Sequence, residues 1–272
     1  MLISLLSLFY KHVTKPIFFQ FDAELVHNFV TSQGELFGKF QTPNKFLSKL
    51  FAKKSDMLKQ KIAGIEFKSP VGLAAGFDYE AKLTQILPNI GFGFNTVGTI
   101  TNFPYEGNPK PRLGRLPKSK SLMVNKGFKN KGAREISNKL AKLNFEIPLG
   151  ISIGKTNISK RETQKDAIAD ILSAFKVFED SNIKNAYYEL NISCPNLFGN
   201  VTFYPSKNLD ELLTATDKLK IKKPIFIKMP INETDSQTLK MLDVICKHKI
   251  AGVIFGNLQK DRTDKLLDKD EV

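Results

Sequence analysis

Short apolar runs rich in β-branched and aromatic residues recur through most of this chain. Between them, apolar positions fall every three or four residues. The runs are Phe94-Asn-Thr-Val-Gly-Thr-Ile100, Leu149-Gly-Ile-Ser-Ile-Gly154, the stretch 186–192, Pro224-Ile-Phe-Ile-Lys-Met-Pro230 and Gly252-Val-Ile-Phe-Gly-Asn257. Their composition predicts strands, and the intervening spacing predicts helices near 80–89, 130–143, 164–180, 208–220 and 234–248. Upstream, Ile62-Ala-Gly-Ile-Glu-Phe-Lys-Ser-Pro70 reads as a strand with turn residues leading into Val71-Gly-Leu-Ala-Ala-Gly-Phe-Asp78. Segment 101–128 reads as a long Pro/Gly/Lys-rich loop. Strand and helix alternate about six times with no linker between them, the pattern of parallel β/α units.

The N-terminal part follows another pattern. Residues 1–10 are apolar apart from two serines, and Lys11, His12 and Lys15 follow. A spanning helix needs about 20 apolar residues, so this segment does not cross a bilayer. No basic region precedes it, so it does not read as a signal peptide. Two readings stand level: a short helix in the membrane interface with basic residues at its edge, and a helix packed on its own domain. A second helix starts at Asp22, a candidate N-cap, with Leu25, Val26, Phe29 and Val30 on one face. Segment 34–61 reads as a linker ending in a further short helix. The division is then a helical extension over 1–50 and a β/α domain over 51–272.

Composition narrows the partners. The 272 residues carry a net charge of +14, and the isoelectric point is near 9.6. The basic residues are scattered without a long run, which reads as a solvated basic surface; no nucleic acid is expected, and an anionic lipid surface stays open. Cys194 and Cys246 provide no disulfide framework, as in a reducing compartment. His12, His27 and His248 are too dispersed for a metal site. Gly150-Ile-Ser-Ile-Gly154-Lys-Thr156 has the wrong glycine spacing for a phosphate loop and overlaps a strand. Gly91-Phe-Gly93 lacks the third glycine of a dinucleotide fingerprint and precedes a strand instead of following one.

In a parallel barrel the C-terminal strand ends converge on one mouth, where ligands bind. Here they present Ala74, Ala75 and Gly76, then Thr99, Ser152, Asn191 with Cys194 and Asn196, Lys228, and Asn257. The densest stretch is Tyr187-Tyr-Glu-Leu-Asn-Ile-Ser-Cys-Pro-Asn196, an apolar run that breaks into amides, a hydroxyl, a thiol and a proline. The other reading is an ordinary strand end with an Asx-type turn. The set holds no paired carboxylates, no Ser-His-Asp group and no metal ligands, which argues against hydrolysis and metal chemistry. It suits a planar, hydrogen-bonding ligand held by amides. Lys228, inside an apolar run, reads as a cation that stabilises negative charge or as a lysine reaching past the strand end. Cys194 reads as a small core thiol, a base or a nucleophile.

Leu190-Asn-Ile-Ser-Cys-Pro-Asn196, Gly72-Leu-Ala-Ala-Gly-Phe-Asp78, Gly91-Phe-Gly with Val97-Gly-Thr99, Lys110-Pro-Arg-Leu, Asn125-Lys-Gly-Phe128 and Ile225-Phe-Ile-Lys228 resemble the dihydroorotate dehydrogenases. These are FMN-dependent (β/α)8 TIM barrels of pyrimidine (UMP) biosynthesis. Phe19-Gln-Phe-Asp-Ala-Glu with His27 resembles the extension of the quinone-dependent, membrane-associated class. The resemblance implies oxidation of dihydroorotate to orotate by a monomer peripheral to the cytoplasmic side of the cell membrane, with quinone as acceptor. It makes Cys194 the base. It places Asn125, Lys126, Gly127, Phe128, Asn191, Asn196 and Asn257 on the substrate. Ala74, Ala75, Gly76, Thr99, Ser152, Asn191, Lys228 and Gly256 fall on FMN.

Several positions depart from the family. The quinone class has serine where Cys194 stands. Tyr79 replaces a lysine, for which Lys82 one helical turn on is a candidate substitute. Asn125-Lys-Gly-Phe is one residue shorter than the family's Asn-x-x-Gly-Phe. Gly256 and Leu258 flank Asn257 in place of hydroxyl residues. About six β/α units are present where a closed barrel has eight, and the tail after Asn257 is polar. The loops after strands 7 and 8 carry the phosphate site in such barrels, so the expectation is a C-terminally truncated, incomplete FMN enzyme. Two alternatives accompany it: a class 1-like FMN dehydrogenase of a pyrimidine ring with a soluble acceptor, and a non-enzymatic basic remnant associated with membrane or nucleic acid.

Overall fold

The computed structural model describes residues 2–53, 55–158, 163–199, 201–259 and 261–271. The helical extension comprises α1 (Leu2–Phe9), α2 (Lys15–Phe19), α3 (Ala23–Gly38) and α4 (Gln41–Phe51). Asp22 caps α3, its Oδ1 accepting from the Leu25 amide at 2.9 Å. The orientation of α3 differs from an ordinary amphipathic helix. Leu25, Phe29 and Val30 are exposed, while Glu24 and Thr31 are buried against the rest of the chain. The segment expected as a linker is thus mostly helix, through the end of α3 and all of α4. No helix among the described residues is long and apolar enough to cross a membrane.

A hairpin, β1 (Gln60–Ile62) and β2 (Ile65–Phe67), leads into the main sheet. Its turn residues Ala63 and Gly64 both have positive φ, the conformation that suits a two-residue hairpin. The sheet strands are β3 (Gly72–Leu73), β4 (Phe94–Ile100), β7 (Leu149–Ile153), β8 (Tyr187–Asn191), β9 (Ile225–Met229) and β10 (Gly252–Phe255). A second hairpin, β5 (Leu113–Leu116) and β6 (Ser121–Val124), lies between β4 and β7. The sheet is wholly parallel, ordered β10-β9-β8-β7-β4-β3. Helices α5 (Ala133–Leu140), α6 (Gln164–Glu179), α7 (Ser206–Asp217) and α8 (Asp235–Ile245) join the strands from β4 onward. Among the described residues the sheet is open: β3 and β10 each have one neighbour. It is a parallel half-barrel of the TIM type.

The two faces of the strands bury different chemistry. Ile151, Ile153, Tyr188, Leu190 and Ile227 pack with Ile136, Leu140, Ile171, Phe175, Phe178, Leu209 and Leu213 of the helices in one core. Phe175 meets Tyr188 edge-on with centroids 5.2 Å apart. On the other face, the N-terminal half of the sheet carries rings. Tyr187 lies 5.6 Å from Phe226 and 6.4 Å from Phe67, which contacts Phe94 at 5.3 Å. Gly72 and Gly150 admit these rings, since a Cβ at either would collide with Phe94 or Tyr187. Toward the C-terminal ends the same face turns polar, with Thr99, Ser152, Glu189, Asn191 and Lys228 all buried. The aromatic layer forms a floor, and the polar layer lies at the mouth.

Two expected elements change form. Segment 80–89 is not a helix but a turn ending in one 3-10 segment, Leu87–Ile90. The Asp78 carboxylate accepts from the Lys82 amide at 2.7 Å and the Leu83 amide at 2.9 Å, and Ala81 sits at φ 55. This side chain to backbone pairing outcompetes a helical ladder. The loop 101–128 carries the β5–β6 hairpin, which frames the mouth.

Candidate functional site

The register brings the strand ends together. Ser152 of β7 pairs with Glu189 of β8, and Asn191 of β8 with Lys228 of β9. Asn191 Nδ2 donates to Thr99 Oγ1 at 2.8 Å. Thr99 and Ser152 hydroxyls are 2.9 Å apart, and Ser152 Oγ donates to Glu189 Oε1 at 2.7 Å. Lys228 Nζ lies 3.9 Å from the same carboxylate oxygen. Asn191 Oδ1 accepts from the Ser193 amide at 3.2 Å and its hydroxyl at 3.1 Å. Asn257 Nδ2 donates to Ser193 Oγ at 2.5 Å. Burial raises the Glu189 pKa, with Lys228 and Ser152 opposing. Glu189 and Ser193 had no role in the sequence reading. A carboxylate at the centre of an apolar strand was the available signal.

A second cluster is built on Asn108, a loop residue that sequence patterning did not single out. Its Nδ2 donates to Asn125 Oδ1 at 2.8 Å and to the Asn196 carbonyl at 2.9 Å. Its Oδ1 accepts from Tyr105 at 2.7 Å and Asn157 at 3.0 Å. Asn196 Nδ2 donates to the Val124 carbonyl at 2.9 Å, tying the loop after β8 to β6. Asn157 also donates to the Gly127 carbonyl at 3.3 Å. Gly127 has φ 65, and a Cβ there would collide with Asn108, so this close approach requires glycine. Phe128 packs its ring against Gly154, where an added Cβ would meet it. Four of the expected substrate residues, Asn125, Gly127, Phe128 and Asn196, are thus fixed in one loop framework.

Cys194 is half-buried beside a cavity of about 200 Å³ lined by Asn191, Ile192, Lys155, Phe198 and Tyr204 among others. Burial pushes the Tyr204 hydroxyl up to about 12. On the opposite rim, the Gly76 amide donates to the Gly98 carbonyl at 2.6 Å, setting the 74–76 turn beside Thr99. Gly76 and Gly256 have φ of +109 and +127, with open space where a side chain would project. Ala74 and Ala75 lie on the same turn.

The extension meets the mouth at Tyr79. Its hydroxyl donates to Asn28 Oδ1 at 3.0 Å, and its ring stacks on His27 with centroids 5.6 Å apart. His27 Nε2 lies 2.9 Å from the Phe77 carbonyl. Burial, with Lys126 nearby, lowers the His27 pKa. Glu24 binds Arg112 Nε at 3.1 Å and Lys129 Nζ at 3.4 Å. Lys82, the candidate substitute for the lysine replaced by Tyr79, turns instead to Glu80 at 3.4 Å and Ser32 at 3.5 Å. The cation at Tyr79 is Lys126, buried, with Nζ over the ring.

Fold and site together define an α/β enzyme of the parallel-barrel class, with amides and one lysine gathered at its mouth. The family model described as Dihydroorotate dehydrogenase matches residues 57–271. The chain belongs to the dihydroorotate dehydrogenase family. It is 35% identical over 253 residues to the protein named dihydroorotate dehydrogenase (quinone) of Christiangramia forsetii, covering 91% of this chain and 72% of that one. Its likeness to the protein of the same name from Chloroflexus aurantiacus is 34% over 266 residues, covering 92% and 71%. The ligand-free DHODH structure of Eimeria tenella superposes with a TM-score of 0.75 at 26% identity, over 92% of this chain and 73% of that one. The ferulenol complex of the same enzyme gives 0.71 at 26% identity, over 92% and 70%.

Proposed function

We propose that this chain oxidises dihydroorotate to orotate in UMP biosynthesis, with FMN as its flavin and a quinone as electron acceptor. The observation that carries the reading is the meeting of Asn191, Lys228 and Asn257 at strand ends beside Cys194, within the family match. The ring side of the site fits a flavin. The turns at Gly76 and Gly256 leave open space, and Asn191 and Lys228 offer donors to an electron-rich ring.

Bound FMN supplies the two-electron acceptor for the hydride leaving C6. The chain's residues do the rest. Cys194, as thiolate, takes the proton from C5, so that the C5–C6 double bond forms as both hydrogens leave. Asn191, Asn196 and Asn257 hold the ring amides, and the Asn108 framework presents Asn125 to Phe128 as the far wall. Lys228 favours negative charge on the reduced ring.

Residues 1–50 form the membrane and quinone-associated part, and 51–272 the FMN domain. The outward apolar face of α3 and the exposed Leu5, Leu8 and Phe9 of α1, near Lys11 and Lys15, support a monomer resting peripherally on the cytoplasmic face of the cell membrane. The test is the protein reconstituted with FMN. Dihydroorotate is expected to bleach the flavin, and a short-chain quinone to restore its colour faster than fumarate or NAD does. A flavin-loaded protein that dihydroorotate leaves oxidised overturns the reading. Faster reoxidation by fumarate or NAD assigns the chain to the soluble-acceptor type.

A further inference from the structure

Lys228 and Asn191 have roles in this mechanism, but the one acid of the strand-end layer has none. Glu189 lies mid-strand in β8 and is only 2% exposed. Paired with the Lys228 ammonium, Glu189 acts here as a carboxylate, which accepts hydrogen bonds and donates none. Ser152, 2.7 Å away, therefore donates its proton to Glu189. That leaves Ser152 only lone pairs for Thr99, so the Thr99 hydroxyl donates to Ser152 across 2.9 Å. Thr99 in turn accepts from Asn191 Nδ2. On the other side of this amide, Ser193 donates to Asn191 Oδ1 and accepts from Asn257 Nδ2. One carboxylate thus sets the direction of a chain running from the end of β10 to β7. The same oxygen lies 3.9 Å from the Lys228 ammonium.

We infer that Glu189 is a positioning residue of the flavin site, orienting the strand-end amides as donors and offsetting part of the Lys228 charge that the reduced flavin ring feels. The inference rests on the flavin reading proposed above. Its physical basis is the low dielectric of this layer: a carboxylate and an ammonium at this depth interact far more strongly than at the surface. Held at its site by Ser152, the acid competes with the flavin for the cation. A purely structural buried pair would change stability when broken and leave the flavin's redox balance untouched.

The experiment is a redox titration of FMN bound to the wild-type chain and to Glu189→Gln, which keeps the shape and removes the charge. Loss of the acid leaves Lys228 fully available to the anionic reduced ring. The ratio of reduced to oxidised FMN affinity is expected to rise about tenfold, a potential about 30 mV more positive. Lys228→Met shifts it the other way. In that background the effect of Glu189→Gln falls away, because an unpaired carboxylate at this depth takes up a proton. Glu189→Asp, which draws the charge back from Lys228, gives a smaller shift of the same sign and serves if the glutamine variant does not fold. An unchanged potential in both Glu189 variants, with FMN bound, overturns the inference alone. A wild-type chain that takes up no FMN overturns the proposed function and this inference with it.

Discussion

The Lys126 ammonium lies 4.1 Å from the centroid of the Tyr79 ring, and its Nζ has no hydrogen-bond acceptor among the described residues. Tyr79 is held in turn by Asn28 and His27 of α3, so the helical extension fixes the surface on which this cation rests. A cation over an aromatic face is stabilised by up to about 2 kcal/mol when desolvated. That does not offset the loss of water and hydrogen bonds. Burial, partly countered by Glu24, lowers the Lys126 pKa to about 8 from 10.5.

The sign of the stability effect follows. Between pH 8 and 10.5 the unfolded chain binds a proton at this position that the folded chain does not. Stability therefore gains from Lys126 as pH rises through that window. Below pH 8 the buried cation is a standing cost. Lys126→Met is expected to raise the urea midpoint at pH 7 and to remove this residue's increment between pH 8 and 10.5. Urea titrations at pH 7, 9 and 10.5 check it, and a variant less stable than wild type at pH 7 contradicts it.

Cys194 carries the chemical step in the proposed mechanism, and its environment separates chemistry from binding. In that mechanism the amides of Asn191, Asn196 and Asn257 hold the ring, so removing the thiol leaves those contacts in place. Cys194→Ala is expected to abolish bleaching of the flavin by dihydroorotate while orotate binding stays within a few fold of wild type. Stopped-flow absorbance and orotate titration measure the two. Loss of both together assigns Cys194 to packing.

Much of this layout was legible in the sequence, for a physical reason. Strands of a parallel sheet are buried on both faces and so appear as near-continuous apolar runs. Once β4, β7, β8 and β9 are read, their last residues follow, and with them Thr99, Ser152, Asn191 and Lys228. Glu189 stayed hidden because its role comes from the pairing of β8 with β7 and β9. Asn108 and Asn157 stayed hidden because they lie on loops whose paths are set by tertiary contacts. Segment 80–89 has helical spacing, but the Asp78 carboxylate takes its amides first. In α3 the periodicity located the helix but carried no information on its facing: Leu25, Phe29 and Val30 point outward and the polar side docks.

The exposed apolar residues of α1 give a prediction about membranes. Leu5 and Leu8 of α1 are 63% and 55% exposed. Burying each in an acyl boundary contributes about 1.5–3 kcal/mol. Replacing both with glutamate is expected to lower partition onto anionic vesicles by at least about 100-fold. The folded core lies elsewhere, so the urea midpoint stays put. Vesicle flotation reads the partition, and equal flotation of wild type and variant removes α1 from the binding surface.

Asn108 tests whether the far wall of the site is a rigid unit. Its side-chain amide joins Asn125, Asn157, Tyr105 and the Asn196 carbonyl, and it is only 5% exposed. Asn108→Ala leaves four partners without their hydrogen bonds in a buried setting, where each unsatisfied group costs about 1–3 kcal/mol before relaxation. Asn108→Asp keeps the acceptor side but turns the donating side against the Asn125 and Asn196 oxygens. Both variants are expected to weaken orotate binding at least tenfold by loosening Asn125 and Asn196. The potential of bound FMN should be unmoved, because the Glu189–Lys228 pair lies in the other cluster. Orotate titration and the redox midpoint, measured on one preparation, separate these effects. A shifted midpoint in the Asn108 variants would mean that the two clusters act as one.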